Sequence, residues 1–80
     1  MSTKSERSRL NNRLRQSLDS RRAALHMTKP NFAHRIGFSE DTYDRRYADP
    51  EKLTLGELRN LVMVMGWSAE DTADLLFGQK

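Results

Sequence analysis

Two short helical patterns on either side of the break Gly37-Phe38-Ser39 constrain this chain more than anything else in it, because neither is long enough to be stable without tertiary packing. The first opens at Thr28, a residue suited to N-capping, with Pro30 in the first turn, where its missing N–H costs little. Phe32, Ala33 and Ile36 then fall on one helical face. Gly37 suits the position after a helix that often needs positive φ, and Ser39 can cap the next helix through its hydroxyl. Glu40 and Asp41 fit the first turn of that helix. Tyr43 and Tyr47, four residues apart, share a face, while Asp41, Asp44, Arg45 and Arg46 point elsewhere. The stretch from Thr28 to Tyr47 is thus expected to form a helix, a tight turn and a second helix.

The remaining chain supplies partners for that pair. Residues 1–6 are small and polar, which predicts a disordered terminus. From about Arg7 a helix is expected, with Leu10, Leu14, Leu18 and Leu25 as a narrow apolar stripe flanked by arginines. Arg21 and Arg22 occupy the gap in that stripe, so one of them is expected to lay its aliphatic stem over the core. Residues 48–52 read as a connector, since Pro50 biases Asp49 toward extended backbone and ends the preceding helix near Tyr47 or Ala48. Thr54 and Glu57 make a capping box before the stripe Leu55, Leu58, Leu61, Val62 and Met65, which Gly66 stops. Met63 and Val64 widen that stripe, as core filling or as a groove for a partner. Ser68 and Asp71 repeat the capping pattern ahead of Ala69, Thr72, Ala73 and Leu76, and Gly78 closes the last helix. The predicted fold is all-α, a compact bundle of about five helices forming one domain over residues 7–80.

Composition removes several classes of function. With 80 residues and 36% hydrophobic content the chain has one small core and little room for a sizeable pocket. No cysteine means no disulfide framework and no thiolate metal site, which suits a reducing compartment. The longest apolar run, Leu61 to Met65, is far too short to span a bilayer, and the first twenty residues lack the apolar core of a secretory signal. A cytoplasmic location is therefore expected, with no membrane partner. His26 and His34 have no metal-site spacing and read as ordinary surface or partly packed residues. No Gly-x-Ser-x-Gly elbow or phosphate-cradling glycine loop is present, so no catalytic residue, cofactor or metal is predicted, and the chain is not expected to be an enzyme.

The net charge of +3 is unevenly spread. Residues 1–25 hold Lys4, Arg7, Arg9, Arg13, Arg15, Arg21 and Arg22 against Glu6 and Asp19, whereas residues 48–80 hold Lys52, Arg59 and Lys80 against Asp49, Glu51, Glu57, Glu70, Asp71 and Asp74. A basic front and an acidic back imply a polyanion-facing surface with a solvated one opposite. Arg7, Arg9, Arg13 and Arg15 read either as a solvated helix face or as phosphate contacts.

The run Thr42-Tyr43-Asp44-Arg45-Arg46-Tyr47 is preceded by Phe-Ala-x-x-Ile-Gly at 32–37. It is followed by Asp49-Pro50, by Leu53-Thr54-Leu55-Gly56-Glu57-Leu58, and by Leu61 and Met65-Gly66-Trp67. In that order these residues resemble the lambda-repressor-like (Cro/XRE-type) helix-turn-helix family, particularly its small phage members, over about half of the chain. The resemblance implies a sequence-specific regulator of transcription, repressor-like and phage or prophage encoded, that binds double-stranded DNA with helix 39–47 in the major groove. Carried onto this sequence, it assigns base reading to Glu40, Asp41, Thr42 and Arg45. Phosphate contact falls to Thr28, Lys29, Asn31, Ser39 and Arg46, with Arg13 and Arg15 added from the basic first helix. Glu40-Asp41 departs from the family pattern, in which neutral or basic residues are commoner there; as first-turn acids they stabilise the helix by roughly 0.3 to 1 kcal/mol without any ligand. A protein-binding adaptor on the same scaffold is the alternative. Leu75, Leu76 and Phe77 form an apolar cluster too broad for one narrow helical face, and read either as a homodimer contact or as intramolecular packing.

Overall fold

Left-handed backbone ends four of the five helices that the computed structural model contains within its described residues, 4–78. The helices are α1 (Lys4–Ala24), α2 (Lys29–Arg35), α3 (Glu40–Ala48), α4 (Leu55–Met65) and α5 (Ala69–Phe77), with a 3-10 turn at Pro50–Lys52 inside the connector. The fold is an all-α bundle. At Gly37, φ is 83° and a pair of closing bonds runs from the N–H of Phe38 to the carbonyl of Ala33 (2.8 Å) and from Gly37 to His34 (3.0 Å). This is the glycine-ended stop of the Schellman type, and it brings Phe38 back beside Ala33 in the core. The end of α1 uses the same pair of bonds, Met27 to Arg22 and His26 to Ala23, but the left-handed residue is His26 at φ 54°.

Several boundaries differ from the sequence-based expectation. Helix α1 begins at Lys4, three residues earlier than predicted; Met1 to Thr3 lie outside the described residues. Its first turns are fastened from outside, since Arg7 and Asn11 both donate to the carboxylate of Glu51 in the 3-10 turn. It also stops at Ala24, so Leu25 falls in the turn at 38% exposure instead of extending the stripe. Leu55, the first residue of α4, is 62% exposed because the buried stripe begins only one turn later. Met63 is 78% exposed and fills no core; Val64 is the one of the pair that packs inward.

The core gathers Leu18 from α1, Phe32 and Ala33 from α2, Ile36 and Phe38 from the turn that follows it, Tyr43 from α3, and Leu61 and Met65 from α4. Leu14, Met27, Tyr47, Leu53, Val64 and Trp67 pack around it. Helix α2 is only seven residues long, yet its core residues Phe32 and Ala33 and its C-cap Ile36 are at most 1% exposed. Burial of that stripe, not intrinsic propensity, is what keeps so short a helix formed. Leu10 is buried apart from this cluster, where α1 meets α5. In the gap of the α1 stripe Arg22 is half-buried, and Arg21 reaches across to donate to the Met65 carbonyl at the end of α4 (2.6 Å).

Opposite effects are expected at the two left-handed positions. A β-carbon on Gly37 would sit 2.9 Å from the Asn60 amide nitrogen. Gly37→Ala is therefore expected to cost at least the 1 to 2 kcal/mol (about) that left-handed backbone costs a side chain, and His26→Gly to gain up to about 1 kcal/mol by relieving the same strain. Thermal unfolding of the two variants checks this; an unchanged midpoint for Gly37→Ala would contradict the tight turn.

Candidate nucleic-acid interface

Helix α3 is held at its start, along its inner face and at its end. Ser39 caps it, its hydroxyl oxygen accepting from the Thr42 N–H at 3.1 Å. On the inner face the buried Tyr43 ring meets Phe32 edge-on (centroids 6.0 Å apart, 82° between planes) and stacks on Tyr47 at 6.0 Å. At the end no glycine is available to fold the chain back, and an arginine from α1 takes over. Arg15 donates through Nε to the carbonyl of Tyr47 (2.7 Å) and through Nη2 to that of Ala48 (2.9 Å), with its guanidinium 5.9 Å above the Tyr47 ring. A cation bonded to the last carbonyls of a helix satisfies open acceptors and complements the negative end of its dipole. Arg46 binds Glu57 at 2.8 Å, and the same Glu57 oxygen accepts the Thr54 N–H in the capping box of α4. Tyr47 donates to Asp19 of α1 at 2.8 Å.

Its outer face is left to solvent. Glu40, Asp41, Asp44, Arg45 and Ala48 are exposed, and Thr42 is half-buried against Ser39, whose hydroxyl donates to it at 2.9 Å. Arg45 pairs with Asp41 one turn back (3.0 Å), and Lys29 at the start of α2 pairs with Asp44 (2.9 Å). The second pair ties the beginning of α2 to this face. Thr28 and Asn31 are exposed nearby; Thr28 has the extended backbone of an N-cap, but its side chain makes no capping hydrogen bond. The structure therefore brings Thr28, Lys29, Asn31, Ser39, Glu40, Asp41, Thr42 and Arg45 to the α2–α3 surface. It does not bring Arg13, Arg15 and Arg46 there, since Arg13 is bound to Asp74 of α5 and the other two hold α3 in place.

The two charged halves of the chain do not face opposite ways, as their composition had implied. Arg7 meets Glu51 and Arg13 meets Asp74, so part of the acidic back closes onto the basic front, and Arg46 of α3 takes Glu57. The Arg46 hydrogen bond, aided by the Thr54 N–H, holds the Glu57 carboxyl below its ordinary range, and Arg7 with Asn11 does the same for Glu51. Among the described residues, Arg9, Arg22, Arg35, Lys52 and Arg59 have no ion-pair partner, and Arg15 and Arg21 are bound by neutral oxygens instead. Sequence reasoning missed the roles of Arg15 and Arg21, which depend on partners 32 to 44 residues away and leave no local signal.

Two hollows flank α3 and α1. A polar one of about 340 Å³ is lined by Asp19, Arg22, Lys29, Tyr43, Asp44 and Tyr47; a more apolar one of about 520 Å³ lies between α1, the 3-10 turn, α4 and α5. No group of three His, Asp or Glu side chains that could hold a metal ion occurs among the described residues, and none of their helices is long and apolar enough to cross a membrane. No protein-family model matches the chain, and no similar curated protein or solved structure was found.

The Tyr43 hydroxyl is buried without a hydrogen-bond partner, and burial, reinforced by Asp19, pushes its pKa from 10.0 up to about 12. The neutral form is thus favoured in the folded state, a contribution fully present below pH 10 and lost as pH rises through about 12. Tyr43→Phe is expected to flatten that alkaline loss in pH-dependent unfolding. At neutral pH it should change stability by no more than a gain of about 1 kcal/mol, because the hydroxyl it removes is unpaired. A clear loss at neutral pH would show that the hydroxyl has a partner.

Proposed function

We propose that this chain is a sequence-specific regulator that binds double-stranded DNA and lays the outer face of α3 in the major groove. The observation that carries the reading is a short capped helix, anchored on its inner face and at its end, whose outer side takes no part in the core. An α-helix fits the major groove, where each base pair presents a distinct set of donors and acceptors. In this reading Arg45 donates to a guanine edge and Glu40 or Asp41 accepts from a cytosine amino group, with Thr42 beside them. Each good contact discriminates by about 1 to 3 kcal/mol. Thr28, Lys29, Asn31 and Ser39 meet phosphates and set the register. The Arg45–Asp41 and Lys29–Asp44 pairs are exposed enough to hold their cations weakly, so a phosphate or base edge can replace either carboxylate. Arg15 and Arg46 contribute by fixing α3, and Arg13 by fixing α5.

A pair of chains joined near Leu75, Leu76 and Phe77 would offer two such helices to one duplex. The reading carries with it a phage or prophage source and a cytoplasmic, nucleoid-associated place of action. The second reading, a protein-binding adaptor, draws on the acidic outer face of α3, where Glu40, Asp41 and Asp44 outnumber Arg45, and on the exposed Met63 and Phe77.

Selection from a randomised duplex pool at two salt concentrations tests the first reading. An enriched site is expected, with affinity falling steeply as salt rises. Arg45→Ala is expected to relax preference at one base pair by about 5- to 150-fold, the equivalent of 1 to 3 kcal/mol. Absence of enrichment from a folded sample would overturn DNA reading and favour the adaptor.

A further inference from the structure

The larger hollow, of about 520 Å³, is walled by apolar side chains that the central core leaves over. Leu10 and Leu14 of α1, Leu58 of α4, Leu75 and Leu76 of α5 and the Trp67 indole all line it. Leu10 is buried outside the central cluster, and Leu75 and Leu76 are only partly covered. The Leu75-Leu76-Phe77 cluster is therefore split, with two leucines on the hollow and Phe77, 64% exposed, outside it. Polar bridges frame the space. Arg7 and Asn11 hold Glu51 of the 3-10 turn to α1, and Arg13 holds Asp74 of α5. Closing the hollow by a shift of one helix would break one of these bridges, so the surroundings relax into it only in part.

We propose that this hollow binds one small, uncharged aromatic molecule. Its volume falls within the range of about 300 to 1,000 Å³ typical of small-molecule sites, which are likewise mostly apolar with a few polar groups. Charge selects a neutral ligand. Arg7 and Glu51 are the only charged residues on the hollow, and they are paired with each other. Asn11 donates to the second oxygen of Glu51 (3.0 Å), and the Thr72 hydroxyl donates to the Ser68 carbonyl (2.9 Å). A charged ligand would leave water and find no free countercharge. Water is also poorly held against the leucines, where it lacks the polar partners an ordered water needs, so an apolar molecule that displaces it gains affinity. Trp67 selects a ring, because its indole offers a π-system for offset or edge-on packing. The site requires neither DNA nor a second copy of the chain, so its failure would leave the reading of α3 untouched.

The test is titration with anilinonaphthalene, a neutral aromatic dye. Trp67 is the only tryptophan in the chain, so energy transfer from it to the dye reports binding beside it. Saturable binding at one site per chain is expected, with the sulfonated form of the same ring system at least about tenfold weaker. Leu75→Phe narrows the hollow and Leu76→Glu adds an unpaired charge to its wall; each should weaken the neutral dye at least about tenfold. Met63→Ser and Phe77→Ser remove exposed apolar side chains outside the hollow and should leave binding unchanged. Circular dichroism confirms that each variant is folded, and Leu76→Glu, at a position 42% exposed, carries the test if Leu75→Phe does not fold. Absence of saturable binding, a preference for the sulfonate, or binding lost with Met63 or Phe77 and indifferent to Leu75 and Leu76 would overturn the proposal. So would an affinity that falls as dimers form at rising protein concentration, since the hollow would then belong to a second copy.

Discussion

The edge-to-face contact between Phe32 and Tyr43 is the interaction on which the α2–α3 surface depends. The helices it joins are seven and nine residues long, below the length at which a helix persists alone in water. Each is stable only while its buried ring stays in the core. Truncating a buried phenylalanine to alanine typically costs about 3 to 5 kcal/mol, against roughly 4 to 12 kcal/mol for a domain of this length. Removal of the Phe32 ring would therefore put the folded state itself at risk, not only the angle between α2 and α3.

Arginine fastens what the small core cannot. Arg15 closes the end of α3, Arg21 the end of α4, and Arg46 joins α3 to the capping box of α4. The planar fork of the guanidinium lets Arg15 reach two successive carbonyls while lying over Tyr47, which a lysine ammonium could not do. Much of the basic character of α1 is consumed in this way. What a polyanion would meet is the smaller set of cations outside these contacts, together with Lys29 and Arg45, whose carboxylate partners are exposed and exchangeable.

Local chemistry was legible in the sequence, and distant partners were not. Ser39, Thr54 with Glu57, and Ser68 with Asp71 act as caps where their spacing said they would, and Gly37, Gly66 and Gly78 take the left-handed stops. The tyrosine spacing separated the inner face of α3 from its outer one. The end of α1 was misplaced because a histidine, not a glycine, takes the left-handed position in the turn, and histidine is enriched there only relative to other side chains. Leu55 was misassigned because the first residue of a helix can match the apolar period and still precede the turn that is buried. The charge segregation was real but its meaning depended on folding, which brings Asp74 and Glu51 back onto α1.

The central claim is that α3 presents a rigid outer face for recognition while its inner face and its end are committed to the fold. The most direct test is a backbone amide NMR titration of the whole chain with a duplex recovered by selection. The expected result is that perturbation concentrates on residues 28–31 and 39–45, with 69–77 unmoved at constant protein concentration. Perturbation centred on α4 and α5 with 39–45 unchanged would contradict it.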